Sequence, residues 1–296
     1  MAEDIKQITK ETVKHLLPER PQESNKGTFG KVMNIAGSMN YQGAAYLASV
    51  SPLKVGAGLV TLASIEPVIN NLASCAPWIT FYPLRDYYKK CIASDAFLEI
   101  KDAIESYNVI SVGPGLSDLP AVSAFVDDLI RYLNTTEKKV VIDADALNVL
   151  AKSETKRFPK NSVITPHPME LSRLLNETVD VIQSDRVKYA RQAVQKFGCD
   201  VVLKGNKTVV AFRNGEVYEN TSGNSALAKA GSGDVLTGII AGLCAQGLNV
   251  DEASLLGVYL HGLCGEIASC DLTEYCVLAT DLIDCIPVAV KRIMED

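Results

Sequence analysis

The chain has 296 residues, 47% apolar and 22% charged, with 29 Lys+Arg against 35 Asp+Glu and a formal net charge of −6. That profile excludes a disordered, collagenous or repeat-biased chain, and the length suits one large α/β domain or two small ones. The acidic balance argues against a nucleic-acid or membrane-surface binder, so any bound anion has to be met by local donors.

The opening, MAEDIKQITKETVKHLLPERPQ, is charged and lacks the basic-then-apolar pattern of a secretory leader. Residues 1–29 read as a helical lead-in with His15 in solvent. Apolar runs stay short of the 18 residues a membrane span needs, so no membrane insertion is expected. The eight cysteines are scattered without a Cys-x-x-Cys pair. They read as reduced, mostly buried thiols of a cytoplasmic protein. Cys264, Cys270 and Cys276 recur at a spacing that matches no usual zinc site.

Strands are expected at Val32–Ala36, Leu59–Ala63, Val109–Val112, Val140–Ile142, Ser162–Thr165 and Val201–Leu203. Most are continuous aliphatic runs, as strands covered on both faces of a parallel sheet are. Helical patterns lie between them at Ala44–Val55, Ala121–Leu133, Ser184–Phe197 and Val235–Ala245, and the stretch from Asp251 to Ile293 reads as all-helical. Thr208–Phe212 and Val217–Glu219 flank an Asn-Gly turn and read as a hairpin. The alternation predicts a three-layer α/β/α sandwich with a mainly parallel central sheet, and residues 1–296 as a single domain. Ligands of such sheets sit beyond the carboxyl ends of the strands, so the informative residues should follow the strands.

They do. After the first strand, Ala36–Ala45 is a loop of small residues with room for a bulky group, whereas Gly56 and Gly58 read as a helix C-terminal cap. Ile110–Leu116 runs from a strand into Gly113-Pro114-Gly115, a turn that lets backbone approach a ligand or simply reverses the chain. Asp143 and Asp145 follow another strand, and either can face a metal or nucleotide or cap the next helix. In Thr165-Pro166-His167-Pro168-Met169-Glu170 two prolines fix an extended turn that displays His167, with Glu170 able to reach a Mg²⁺-bound phosphate through water.

Val201–Leu203 ends in Lys204-Gly205-Asn206-Lys207-Thr208, where Lys204 can face a phosphate and Thr208 can add a hydroxyl. The P-loop spacing is absent. The strongest signal is Gly231-Ser232-Gly233-Asp234 opening onto an apolar helical run. Its glycines let several N–H groups converge at a helix N-terminus, where the dipole favours an anion. Asp234 in the first turn can take a proton from a hydroxyl while those N–H groups hold a transferring phosphoryl. His261 lies within a helical pattern and reads as packing.

Gly-Ser-Gly-Asp at a helix start resembles the signature of ribokinase-like small-molecule kinases. With GKVMNIAGS at Gly30–Ser38, Gly43–Ala45, ISVGPGL at Ile110–Leu116, VIDADALNVL at Val141–Leu150, ITPHPME, VLKGNKT and Gly223–Gly238, the chain resembles ADP- or ATP-dependent NAD(P)H-hydrate dehydratases over Gly30 to Cys285. The resemblance implies a ribokinase-like fold and the repair of NADH or NADPH hydrated at C6 of the nicotinamide ring, on the S epimer. Phosphorylation of the C6 hydroxyl by ADP or ATP with Mg²⁺ would be followed by loss of phosphate.

It further implies that Asp234 is the base and that Gly231, Ser232 and Gly233 form the anion hole. Lys204, Gly205, Asn206, Lys207, Thr208 and Gly233 would hold the nucleotide. Ala44, Ala45, Gly113, Gly115 and His167 would line the hydrate pocket, with Glu170 on the metal side through water. A homo-oligomer, a tetramer in relatives, and functional pairing with a separate epimerase also follow from the likeness. Met169 and Ala230 stand where glycine is usual in the family. The alternatives are a vitamin-type kinase of the same fold, acting on a thiazole or hydroxymethylpyrimidine alcohol, and a non-catalytic nucleotide-binding sensor.

Overall fold

The structure is a computed structural model and describes residues 5–155 and 157–295. In chain order it contains β1 (Ile5–Ile8), α1 (Lys10–Lys14), β2 (Lys31–Ile35), α2 (Gln42–Lys54), β3 (Leu59–Ile65), α3 (Glu66–Leu72) and β4 (Thr80–Leu84). A small hairpin, β5 (Asp86–Tyr87) and β6 (Cys91–Ile92), precedes α4 (Phe97–Ile104), β7 (Val109–Val112), α5 (Pro120–Leu133), β8 (Lys139–Ile142) and α6 (Ala144–Lys152). Then follow β9 (Ser162–Ile164), α7 (Pro168–Leu175), α8 (Val179–Ser184), α9 (Arg186–Phe197), β10 (Asp200–Leu203), β11 (Val209–Ala211) and β12 (Val217–Asn220). Three long helices close the chain: α10 (Ser232–Ala245), α11 (Val250–Cys276) and α12 (Ala279–Met294).

One ten-stranded sheet runs β1-β12-β11-β10-β9-β8-β7-β2-β3-β4. All neighbours pair in parallel except β10–β11 and β11–β12, the latter being the expected hairpin. Consecutive residues of β7, β8 and β10 are fully buried. Successive strand side chains point to opposite faces, so helices must cover both. The α/β/α layering therefore follows from the absence of alternation in these runs.

The sheet order places a topological switch between β2 and β7. The chain builds outward from β2 to β4, then returns to β7 and builds outward the other way. Helix α10 packs chiefly on α2, with further contacts to α11, β7 and β8. Its face toward α2 carries Gly238 and Gly242, where a Cβ would lie 2.7 Å from Ser51 Cβ and 2.5 Å from Val55 Cγ1. These two glycines let the helices approach closely enough to seat the N-terminus of α10 over the strand ends.

Four expectations are corrected. The lead-in is not purely helical, because Ile5–Ile8 adds a parallel edge strand beside β12 before the short α1. Helix α11 is, by length and composition, apolar enough to cross a bilayer, but 72% of its most apolar window is buried inside the protein. The cysteines are not mostly buried: Cys91, Cys199, Cys244 and Cys264 are, whereas Cys75, Cys270 and Cys276 are exposed. Helix α9 also starts at Arg186, not Ser184. Asp185 leaves the helical region (φ −156°, ψ 78°) and caps the helix by accepting from Lys188 N.

Candidate active site

A ladder of backbone hydrogen bonds carries the sheet past its last strand residues and aligns the loops that follow. Gly113 N donates to Ile35 O at 3.2 Å, Asp143 N to Val112 O at 3.1 Å, Thr165 N to Ile142 O at 3.1 Å and Lys204 N to Pro166 O at 2.9 Å. Four loops read separately in the sequence are thus stacked side by side at one end of the sheet.

Asp143 is the fixed point of this end. Its side chain is 1% exposed and accepts from Lys204 Nζ at 2.7 Å and from Thr237 Oγ1 at 2.6 Å. Its backbone is confined as well. A Cβ on Gly113 (φ +131°) would fall 1.8 Å from Asp143 O, and Ala144 adopts φ +49°, a conformation costly for an L-residue. The carboxylate left open by sequence is therefore the Lys204 partner rather than a cap, since its side chain makes no capping bond to α6. Asp145 instead accepts from Ser117 N at 2.8 Å and Asn148 Nδ2 at 3.4 Å.

Helix α7 presents His167 and Glu170 as a reciprocal cap. Glu170 N donates to His167 Nδ1 at 3.2 Å, and His167 N donates to Glu170 Oε2 at 2.8 Å. Nδ1 thus acts as acceptor, which leaves the ring proton on Nε2, 3.3 Å from Glu170 Oε1. Glu170 is 4.0 Å from Lys204 Nζ, and its side chain is only 5% exposed. Burial pushes its carboxyl up to about 7, with the Lys204 ammonium opposing. Burial, then Lys204, lowers His167.

Asp234 lies in the first turn of α10, behind Gly231 in the left-handed region (φ +89°). Burial raises its carboxyl to about 7, reinforced by the nearby Asp143 and partly offset by Lys204. Burial alone would lower the Lys204 ammonium, but Asp143 and Glu170 hold it above its ordinary value. One ammonium therefore sits among Asp143, Glu170 and Asp234, and Asp234 is poised near neutrality, where a general base works best.

Of the expected Gly231–Gly233 donors, one is already used. Ser232 N is spent on Lys229 O at 3.3 Å, closing the turn. The first-turn amides of Gly233 and Asp234 have no intrahelical acceptor and remain to meet an anion. A Cβ on Gly233 would stand 3.2 Å from Lys204 Nζ, so this amide and the ammonium share one locus.

A cavity of about 790 Å³ opens beside that locus. Its wall brings together His167, Lys204, Gly205, Asn206, Lys207, Thr208, Ser232 and Gly233, and continues over Asn220 to Ala230. Arg186 holds the Lys204–Thr208 loop from beneath, donating to Leu203 O at 2.8 Å and to Asn206 O. The Thr208 hydroxyl donates to Gly205 O at 3.1 Å, so toward a ligand it acts as an acceptor.

Ala44, Ala45, Gly113 and Gly115 are not on this wall. They lie at the switch between β2 and β7, where Gly37 N donates to Pro114 O at 2.9 Å. Ala45, Gly113 and Gly115 are buried. A Cβ on Gly115 would meet Tyr41 Cβ and Tyr41 O at 2.7 Å and Ala44 Cβ at 2.9 Å.

Sequence reading missed Thr237, Arg186 and the contacts of His261. Thr237 stands three residues after Asp234 in an apolar helix, a spacing that puts both on one face and could have flagged it. Arg186 carries no such signal. Among the described residues no group of three or more His, Cys, Asp or Glu side chains is arranged to hold a metal unaided.

Residues 32–288 match a family model described as NAD(P)H-hydrate dehydratase. The chain is 38% identical to an ADP-dependent (S)-NAD(P)H-hydrate dehydratase of Bacillus subtilis, covering 96% of this chain and 97% of that one. It is also 38% identical to a bifunctional NAD(P)H-hydrate repair enzyme of Moorella thermoacetica, over 95% of this chain but only 53% of the longer relative. A crystal structure of the ADP/ATP-dependent NAD(P)H-hydrate dehydratase from Bacillus subtilis, grown with ATP/Mg²⁺, superposes with a TM-score of 0.85 at 35% identity, covering 99% of this chain and 100% of that one.

Proposed function

The chain belongs to the NAD(P)H-hydrate dehydratase family, and from that premise we propose that it restores NADH and NADPH from their (S)-C6-hydrates at the expense of ADP or ATP. The observation that carries this reading is Asp234. Its carboxyl is raised to about 7 in the first turn of α10, whose Ser232 and Gly233 line a cavity of about 790 Å³ together with Lys204, the partner of Asp143.

Asp234 takes the proton of the C6 hydroxyl as the hydroxyl oxygen attacks the terminal phosphorus of the nucleotide. The bond to the bridging oxygen breaks, and ADP leaves as AMP, or ATP as ADP. The amides of Gly233 and Asp234 and the Lys204 ammonium hold the negative charge on the moving phosphoryl. The new phosphate ester is a better leaving group than water. The ring nitrogen donates its lone pair as the C6–O bond breaks, and loss of a proton from C5 restores the double bond. No protein nucleophile is needed, and no cysteine takes part.

Mg²⁺ entering with the nucleotide would neutralise phosphate charge. The hard carboxylate oxygens of Asp143 and Glu170 suit it, and would hold it through water because their own hydrogen bonds already occupy them. Lys204–Thr208 and Gly233 bind the nucleotide, while His167, on the same cavity wall, binds the hydrate.

Residues 1–296 act as one ribokinase-like domain in this reading, supported by the continuous sheet. Free thiols fit a cytoplasmic protein. Exposed Tyr275, Leu278, Val288 and Met294 on and between the last two helices support a homo-oligomer, for which the family resemblance suggests a tetramer. Partnership with an epimerase is supported by the bifunctional relatives. The net charge of −6 supports a reading without a nucleic-acid or membrane partner. A vitamin-type kinase or a non-catalytic sensor is not favoured, because the matched family and relatives bear the dehydratase and repair names.

The test is to mix enzymatically hydrated NADH with the protein, Mg²⁺ and either ADP or ATP, and to follow the return of near-ultraviolet absorbance. Recovery with at least one nucleotide is expected. No recovery with either would overturn the reading.

A further inference from the structure

His261 lies on α11, far along the chain from every motif considered above, yet its ring reaches the turn that starts α10. It is 8% exposed and lines the cavity. Its Nε2 is 2.9 Å from Ser232 O and 3.1 Å from Ser232 Oγ. A carbonyl oxygen only accepts, so this contact is a hydrogen bond only if Nε2 carries the ring proton. Burial lowers the imidazole to about 4, so the ring is neutral at working pH and holds a single proton.

The carbonyl in question belongs to the peptide whose other half is Gly233 N–H. No cis peptide occurs among the described residues, so the Ser232–Gly233 unit is planar and trans, and its N–H points away from its C=O. A bond that fixes the carbonyl direction fixes the N–H direction as well. Lys204 Nζ stands 3.2 Å from the position a Gly233 Cβ would take, so the ammonium lies against the same first turn. Ser232 and Gly233 open α10 directly after Gly231 in the left-handed region, and the His261 bond adds to the helix's own first-turn geometry in holding this peptide plane.

We propose that His261 is a positioning residue of the anion hole: its Nε2–H, donated to Ser232 O, fixes the Ser232–Gly233 peptide so that Gly233 N–H is aimed at the transferring phosphoryl group. This deepens the dehydratase reading and rests on it for the identity of that group. The contribution to rate arises because a preoriented donor costs no reorganisation when charge develops.

The experiment compares wild type with His261→Leu, which has no donor, and His261→Gln, whose amide N–H can replace Nε2–H. The protein is labelled with ¹⁵N at glycine and histidine. In hydrate recovery, His261→Leu should lower kcat about 100-fold, the scale of losing one oxyanion donor, with KM for hydrate nearly unchanged. His261→Gln should recover most of that loss. Independently of the hydrate, the Gly233 amide should shift on adding ATP and Mg²⁺ in wild type and His261→Gln, and much less in His261→Leu.

In wild type the imidazole ¹⁵N shifts should report the Nε2–H tautomer, a readout that survives even if a variant fails to fold. Observation of the Nδ1–H tautomer would overturn the proposal. So would wild-type kcat in His261→Leu, or equal loss in both variants with an intact Gly233 response. Failure of the dehydratase reading would instead show as an inactive wild type that keeps its tautomer and its Gly233 response.

Discussion

The two sides of the site are built on opposite principles. On the Lys204 side the chain forms an open cavity of about 790 Å³, walled by a flexible-looking but well-tied loop and by a helix N-terminus. On the Gly115 side, at the switch between β2 and β7, the loops meet at glycines in contact, and Ala45, Gly113 and Gly115 are buried. The first side offers charge and unpaired donors. The second offers tightly fitted backbone that sets where Asp143 stands. The contrast teaches that glycines in this site do two jobs, clearing space for a ligand at 233 and clearing space for the protein's own backbone at 113.

The sharpest test of the contrast starts in the first turn of α10. Asp234→Asn removes the base and should lower kcat about 10³-fold, while ADP affinity measured by calorimetry is kept or improved by the loss of a negative charge. The acid limb of the wild-type kcat profile should fall near pH 7, because the raised carboxyl must be ionised to act.

Stability should move the other way. The folded state binds the Asp234 proton more tightly than the unfolded chain does, because its carboxyl is raised from 3.8 to about 7. Its stabilising contribution is complete below its ordinary value and is lost as pH rises through about 7. Asp234→Asn should therefore raise Tm at pH 8, at about 2–4 °C per kcal/mol gained. A lower Tm would show that the carboxylate is not under the repulsion inferred.

Next in size is the packed side. Gly113→Ala forces a Cβ into Asp143 O at an unfavourable φ and should cost about 3 kcal/mol in denaturant unfolding. Gly43→Ala, in the first turn of α2 with nothing within 4 Å, should change stability by less than about 1 kcal/mol. Similar values for both would erase the distinction between the two sides.

The smallest effects divide the ligands. Lys207→Ala, at an exposed side chain on the cavity rim, should raise KM for the nucleotide about fivefold and leave that for hydrate unchanged. His167→Ala should raise KM for hydrate about tenfold, with less effect on the nucleotide. The reverse pattern would move His167 to the nucleotide side.

The sequence by itself determined the layers, the parallel sheet and the loops that carry the chemistry. Those features are local. Continuous aliphatic strands, glycine turns and helix starts are set by neighbours a few residues apart, and so is the chemistry of Gly231–Asp234, Lys204 and His167. Only the tertiary structure decided what each loop residue faces. Asp143 and Asp145 are two positions apart in one loop, and one binds Lys204 and Thr237 while the other holds Ser117 N. Ser232 N is spent within its own turn, and His261 reaches that turn from a helix that begins 18 residues after Ser232 (250 − 232). Edge strand β1 was hidden because four residues carry little pattern, and its partner β12 lies some 200 residues away in the chain (217 − 5 = 212). The net charge of −6 likewise set no limit on binding anions, because the donors are concentrated where the strand ends converge. Long-range pairing fixes those directions, and no local pattern encodes them.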